Sequence, residues 1–123
     1  MSAWIRWLTH NVADTDTGTH ADVTPLTLTI PYQGAAARLA ALIPTLANWA
    51  IVESNFDAGT IHATHRTGLF RFVDDVHLRL EPIANGVKLH ARSQSRLGKG
   101  DFGQNRRNIL GLFDAVKQQL GAA

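Results

Sequence analysis

The fold is decided by residues 70–96, which read FRFVDDVHLRLEPIANGVKLHARSQSR. Phe70–Glu81 alternates apolar and polar side chains, which is the pattern of a β-strand with one buried face. Asn85-Gly86 is a strong signal for a tight hairpin turn, and Val87–Arg96 alternates again. The segment therefore predicts two long antiparallel strands joined by a hairpin.

The register of this hairpin can also be predicted. A two-residue turn at Asn85-Gly86 places Ala84 opposite Val87, and a slip of one residue would destroy the match between side chains of like character. On the apolar face the register pairs Leu80 with Ala91, Leu78 with Ser93, and Val76 with Ser95. On the polar face it pairs Glu81 with His90, Arg79 with Arg92, His77 with Gln94, and Asp75 with Arg96.

The flanking sequence supplies the other elements. A strand at Leu26–Ile30 ends at Pro31, a helix at Gly34–Asn48 is kinked or split by Pro44, and strands follow at Trp49–Phe56 and Thr60–Thr67. The last helix, Phe102–Leu120, has Asp101 as its N-cap. The chain is therefore predicted to be α+β: an antiparallel sheet of about five strands, in the order β-α-β-β-β-β-α, with the helices packed on one face.

Domain organisation is simple in this interpretation. We expect residues 1–123 to form a single domain, with residues 1–24 as an N-terminal segment and loop that dock on it. Apolar residues make up 45% of the chain and charged residues 18%, which indicates a folded domain with a real core.

One face of the predicted sheet is basic and open to water or to a partner, because the helices cover the other face. Its basic side chains are Arg79, Arg92, Arg96, Lys88 and His90. Arg79 directly opposite Arg92 would be an unfavourable pair of like charges. Either Glu81 or Asp75 offsets it diagonally, or an anion binds there. The structural alternative is a solvated face of Arg–Asp pairs.

The apolar face carries one acid, Asp74, which must be hydrogen-bonded or paired if it is buried. Helical spacing puts Asn105 and Arg106 on or beside the apolar stripe of the last helix. We predict a polar network of Asp74, Ser93, Ser95, Asn105 and Arg106. Asp74 is expected to be ionised and bonded to the first helical turn or to Arg106. The network either fixes the helix on the sheet or marks a functional site.

Three stretches share a known pattern. Phe72–Val76 contains Asp-Asp-Val, Arg92–Gly98 reads RSQSRLG and Asp101–Ile109 reads DFGQNRRNI. With these residues the chain resembles the domain-of-unknown-function family 1499, whose pattern is an Asp-Asp-Val strand, then Arg-Ser-x-Ser-Arg-x-Gly-x-x-Asp-x-Gly-x-Asn, then a closing helix. Asn11–Ala13 and Thr64–Thr67 are also similar, so the resemblance covers nearly the whole chain. The family has no established activity, so the resemblance implies no reaction.

Composition removes several function classes. There are no cysteines, which excludes disulfides, cysteine–zinc sites and thiol catalysis, and we expect a cytoplasmic location. No apolar run approaches the ~20 residues of a membrane span, so no transmembrane segment is expected. His62 and His65 should point to opposite faces of their strand, and we expect no metal and no cofactor. The basic face lacks interleaved aromatic rings, so nucleic acid is not the expected partner.

The sequence favours a non-enzymatic binding or scaffold domain that holds an anionic small molecule, a lipid headgroup or an acidic partner on the basic face. Two alternatives stay open. One is an enzyme with its site at the Asp74–Asn105–Arg106 network. The other is a homo-oligomeric structural protein whose open sheet faces pair.

Overall fold

A computed structural model describes residues 12–67, 72–96 and 103–121. Residues 1–11 of the predicted docking segment and the predicted cap Asp101 lie outside these ranges. The strands are β1 Val12–Asp14, β2 Leu26–Leu28, β3 Trp49–Asn55, β4 Thr60–Thr67, β5 Phe72–Ile83 and β6 Gly86–Ser95. The helices are α1 Ala35–Leu42, a 3-10 turn Ile43–Thr45, α2 Gln104–Val116 and a terminal π-helical turn Lys117–Gly121.

The described residues form one antiparallel sheet of six strands, in the order β1-β6-β5-β4-β3, and β2 also pairs with β6. Val12 of β1 pairs with Gln94 of β6, and Leu28 of β2 pairs with Val87 of β6. The two short strands therefore share one edge of β6. The α+β class is confirmed, with one strand more than expected. β1 was missed because a three-residue strand in a polar loop has no alternating pattern long enough to detect.

The hairpin of β5 and β6 has a different register from the predicted one. Leu80 pairs with Leu89 rather than with Ala91, a shift of two residues. Because side chains alternate with a period of two, this shift keeps each side chain on its predicted face. The predicted faces are therefore right, and the predicted partners are wrong.

The turn explains the shift. Ile83 pairs with Gly86, so Ala84 and Asn85 form the turn, and Asn85 takes its left-handed position with φ 67°. Gly86 is needed for another reason. A Cβ at Gly86 would lie 2.1 Å from the carbonyl oxygen of Leu28, so only glycine allows β2 to pair this closely with β6.

The two helices begin and end where backbone chemistry requires. Pro44 lies in the 3-10 turn that follows α1, so the predicted splitting of the first helix is confirmed. Gly103, with φ 83°, immediately precedes α2. From α2, an apolar stripe that includes Ile109 and Leu112 packs against the sheet.

The core lies between the helices and one face of the sheet, which we call the inner face. Val76, Leu78 and Leu89 point inward from β5 and β6 and are almost fully buried. They belong to one hydrophobic cluster with Leu39 of α1 and Leu112 of α2. Truncating a core leucine of this kind to alanine typically costs about 2–5 kcal/mol. The opposite side of the sheet, the outer face, has no helix over it among the described residues.

Candidate functional site

Two rows of polar side chains cross the outer face. Residues that oppose one another through successive paired strands lie side by side on one face. The first row consists of Glu53 on β3, His62 on β4, His77 on β5, Arg92 on β6 and Asp14 on β1. The second row consists of Asn55 on β3, Thr60 on β4, Arg79 on β5 and His90 on β6.

A groove of about 430 Å³ lies over these rows, and we call it the outer groove. Its lining is completed by Asp16, Ile61, Leu78 and Ala91. Small-molecule sites in proteins range over about 300–1,000 Å³. The outer groove therefore has room for one small molecule, and its charged side chains are of both signs.

Asp16 is held over β6 by its neighbour Thr15. The N–H of Thr15 donates to the carbonyl of Ala91 at 2.9 Å, and the N–H of Ala91 donates to Thr15 Oγ1 at 3.0 Å. Asp16 Oδ1 then lies 2.7 Å from His90 Nδ1, and Asp16 Oδ2 lies 3.5 Å from Arg79 Nη2. Burial alone would raise the pKa of Asp16, but hydrogen bonds from His90 and Thr15 outweigh it and lower that pKa.

His90 bridges two carboxylates. Its Nδ1 lies 2.7 Å from Asp16 Oδ1 and its Nε2 lies 2.7 Å from Glu81 Oε1. An ionised carboxylate only accepts hydrogen bonds, so satisfying both contacts requires a proton on each ring nitrogen. The hydrogen bond from His90 is also the main reason why the pKa of Glu81 is lowered. His90 therefore stabilises the wall of the groove, because both of its nitrogens are already bonded.

Asp75 accepts hydrogen bonds from two side chains, those of Arg96 and His62. Arg96 donates to both of its oxygens, Nε to Oδ2 at 2.9 Å and Nη2 to Oδ1 at 3.0 Å, and His62 Nε2 donates to Oδ1 at 2.7 Å. The Arg96 hydrogen bond is the largest cause of the shift in the pKa of Asp75. With the smaller effect of His62 it outweighs burial and lowers that pKa to about 2. Arg96 is thus held by a carboxylate and does not line the outer groove.

Arg79 and Arg92 have unused donors. Arg79 Nη2 lies 3.5 Å from Asp16 and Arg92 Nε lies 3.7 Å from Asp14, both longer than a good hydrogen bond. Within residues 12–67, 72–96 and 103–121, neither guanidinium has a hydrogen bond. Their side chains are 52% and 48% exposed. The two arginines are diagonal neighbours, which typically lie about 7–8 Å apart, and both line the outer groove.

Beside the arginines, the floor of the groove carries a pair of stacked imidazoles, of which His77 directly opposes Arg92. The ring centroids of His62 and His77 are 4.3 Å apart, with 18° between the ring planes. Burial is the main cause that lowers the pKa of His77, and the charges of His62 and Arg92 act in the same direction against the opposing charge of Asp75. His77 is therefore mostly neutral at pH 7, and a neutral imidazole can both donate and accept a hydrogen bond.

The inner face carries the second polar group, the inner polar cluster: Asp74, Ser93, Ser95, Asn105 and Asn108. Asn108 Nδ2 donates to Asp74 Oδ2 at 2.8 Å and to Ser93 Oγ at 3.1 Å. Ser93 Oγ donates to Asn105 Oδ1 at 2.7 Å, and Asn105 Nδ2 donates to Ser95 Oγ at 2.9 Å. Asp74 is 2% exposed and Asn105 is fully buried. These bonds tie α2 to β5 and β6.

Arg106 is not part of this cluster, so its predicted pairing with Asp74 is wrong. Its Nε donates to Asp22 Oδ1 at 3.0 Å, and its Nη2 also contacts Asp22. Arg106 lies at the edge of the helical stripe, where its long side chain reaches solvent and the loop that precedes β2. The hydrogen bond lowers the pKa of Asp22 and raises that of Arg106. The buried donor to Asp74 is the neutral Asn108 instead.

The model for the family described as "Protein of unknown function (DUF1499)" matches residues 9–116. The chain belongs to the DUF1499 family. The matched range contains the outer groove and the inner polar cluster, so both are features of the DUF1499 domain in this chain. No curated protein matched the chain.

Two further properties of this DUF1499 domain concern membranes and metals. No helix in the described ranges is long and apolar enough to cross a membrane. The same ranges contain no group of three or more histidine and acidic side chains arranged to hold a metal ion.

The structure brings together only some of the predicted site residues. Arg79, Arg92 and His90 line the outer groove, whereas Lys88 and Arg96 do not. The predicted Arg79–Arg92 pairing is wrong, because Arg79 opposes His90 and Arg92 opposes His77. Ser93, Ser95 and Asn105 join Asp74 as expected.

The sequence did not indicate Asn108 in the inner polar cluster, nor Asp14 and Asp16 in the outer groove. Asn108 lies three residues after Asn105, so the helical spacing that indicated Asn105 could also have found it. Asp14 and Asp16 come from the segment interpreted as a loop. Their alternation around the buried Thr15 is a short signal, and nothing local indicates that β6 is their partner.

Proposed function

We propose that this DUF1499 domain is a binding domain whose outer groove holds a small molecule by an anionic group. The observation that carries the proposal is the pair Arg79 and Arg92, whose guanidiniums face the groove with unused donors. Arg96 and Arg106 differ from this pair, because each of them donates to a carboxylate through two nitrogens. A guanidinium presents a planar fork that matches a carboxylate or a phosphate.

Electrostatics favour this position for an anion. Arg92 adjoins the neutral His77 in the first row, and Arg79 adjoins His90, whose two ring nitrogens contact Asp16 and Glu81 and so do not compete with Arg79 for a ligand. The nearest carboxylates, Asp14 and Asp16, hold the guanidiniums only at 3.7 and 3.5 Å. A ligand anion can therefore make shorter bonds to these arginines than the protein's own carboxylates make.

The test is calorimetric titration of the full chain with inorganic phosphate and methyl phosphate. Binding should weaken at least about tenfold in Arg79→Ala/Arg92→Ala, because charge-assisted bonds are lost. The matched control is Arg38→Ala/Lys117→Ala, which removes two positive charges from exposed helical positions. Equal binding by the two double variants, or no binding by the unaltered chain, contradicts the proposal.

Two further titrations, with anionic lipid vesicles and with an acidic peptide, identify the source of the anion. The vesicles present headgroup phosphates to Arg79 and Arg92, and the peptide presents carboxylates. If the vesicles or the peptide bind and the small phosphates do not, the lipid or the acidic-partner hypothesis replaces the small-molecule proposal.

The other expectations from the sequence stay predictions. An enzyme site at the inner polar cluster would require a substrate to reach atoms that are buried and bonded to one another. Homo-oligomerisation through the outer face is tested by light scattering at high protein concentration, and a cytoplasmic location by fractionation of cells that express the full chain.

A further inference from the structure

Glu53 is the carboxylate at the far end of the first row from Arg92. It opposes His62 in the sheet, lines the outer groove and is exposed on the edge strand β3. Within the described residues it has no hydrogen bond and no ion pair, unlike Asp14, Asp16 and Asp75. The groove therefore has unused positive donors at one end and an unused negative acceptor at the other.

The separation of these charges is that of a small molecule. Glu53 lies two strands away from β5 and three strands away from β6, which is roughly 10 and 15 Å at about 4.8 Å per strand. The side chains of Glu53, Arg79 and Arg92 line the same groove, which brings their charged ends closer than their backbones. Glu53 would also repel a ligand that carried negative charge along its whole length.

We propose that the outer groove takes small zwitterions, with the anionic group between Arg79 and Arg92 and an ammonium group at Glu53. This rests on the proposed anion site and adds the chemical class of the ligand. His77 lies between the two ends and offers one hydrogen bond to the middle of the ligand. The same arrangement disfavours simple anions of equal length, which leave Glu53 unpaired.

The experiment compares matched probes. Straight-chain ω-aminoalkyl phosphates of increasing length are titrated against alkyl phosphates of the same length, by calorimetry on the full chain. At the best length the amino compound should bind about tenfold more tightly, as expected for one charge-assisted hydrogen bond. Glu53→Gln should reduce this ratio to about one and leave alkyl phosphate binding equal or stronger. Asp114→Asn, an exposed acid on α2, should leave the ratio unchanged.

The outcomes separate this inference from the function on which it rests. Equal affinity for the two probes in the unaltered chain, or a preference that survives Glu53→Gln, overturns the zwitterion proposal while the anion site stands. No binding of either probe overturns the anion site itself. Because Glu53 is exposed on an edge strand, thermal unfolding should show Glu53→Gln to be folded, so a lost preference reports on the ligand contact.

Discussion

The inner polar cluster and the outer groove lie on opposite faces of the same two strands, β5 and β6. In the cluster, side chains bond one another at 2.7–3.1 Å, and Asp74, Ser93, Asn105 and Asn108 are buried. In the groove, Arg79 and Arg92 approach carboxylates only at 3.5 and 3.7 Å and remain about half exposed. The hydrogen bonds of the inner polar cluster fix α2 on the sheet, whereas the guanidiniums of Arg79 and Arg92 keep donors that a ligand could use. The first region should therefore control stability, and the second should control binding.

Asn108→Ala should have the largest effect on stability. The substitution removes the side-chain amide that donates to Asp74 and leaves the buried carboxyl group of Asp74 without this hydrogen bond. The free energy of unfolding should therefore fall by about 3 kcal/mol or more. Chemical denaturation measures it. Arg106→Ala, whose pair with Asp22 lies in solvent, is the control and should lower the unfolding free energy far less. Losses of similar size in the two variants would contradict the assignment of the cluster.

The adjacent residues Asp74 and Asp75 lie on opposite faces of β5, so Asp74→Ala and Asp75→Ala should differ in their effect on stability. Asp74 is 2% exposed and accepts from Asn108, so its removal should cost about 2 kcal/mol from the lost bond and the space left behind. Asp75 is partly solvated, and water screens its ion pair, so its loss should be smaller at neutral pH. Equal losses in urea unfolding would show that the two faces do not differ as described.

The effect of Asp75 should depend on pH in a defined direction. Its pKa falls from 3.8 to about 2 on folding, chiefly through Arg96. A lowered carboxyl pKa stabilises the fold above the unfolded value, and that contribution is lost as pH falls through the folded value. The difference in unfolding free energy between the unaltered chain and Asp75→Asn should therefore be constant above about pH 5 and shrink towards pH 2. A difference that grew on acidification would contradict the ion pair.

Arg79→Ala and Arg92→Ala should change stability least. Each side chain has one long ion pair and is about half exposed, and such surface pairs contribute less than about 0.5 kcal/mol in many proteins. Thermal unfolding should show nearly unchanged transitions while phosphate binding falls. A large loss of stability in either variant would mean that the groove arginines hold the fold together.

Local patterns in the sequence predicted more of the inner face than of the outer groove. Alternation along β5 placed Asp74 inward and Asp75 outward, and helical spacing placed Asn105 toward the sheet, because both periods are strictly local. The register failed at Gly86, where glycine serves the approach of Leu28 rather than the turn.

The remaining contacts depend on residues distant in sequence. Asp16 contacts His90 across 74 positions and Asp22 contacts Arg106 across 84 positions. No local period encodes such contacts, so the sequence left Arg106 assigned to Asp74. It also left Arg79 and Arg92 as a basic patch rather than as one end of a groove of mixed charge.

An anion bound at the outer face should leave the inner face undisturbed. A nuclear magnetic resonance titration of the labelled full chain with methyl phosphate tests this. The guanidinium Nε–H signals of Arg79 and Arg92 and the ring signals of His77 should shift and saturate, while the carboxamide signals of Asn105 and Asn108 stay in place. Saturating shifts in the two asparagines, with the two arginines unmoved, would contradict the account.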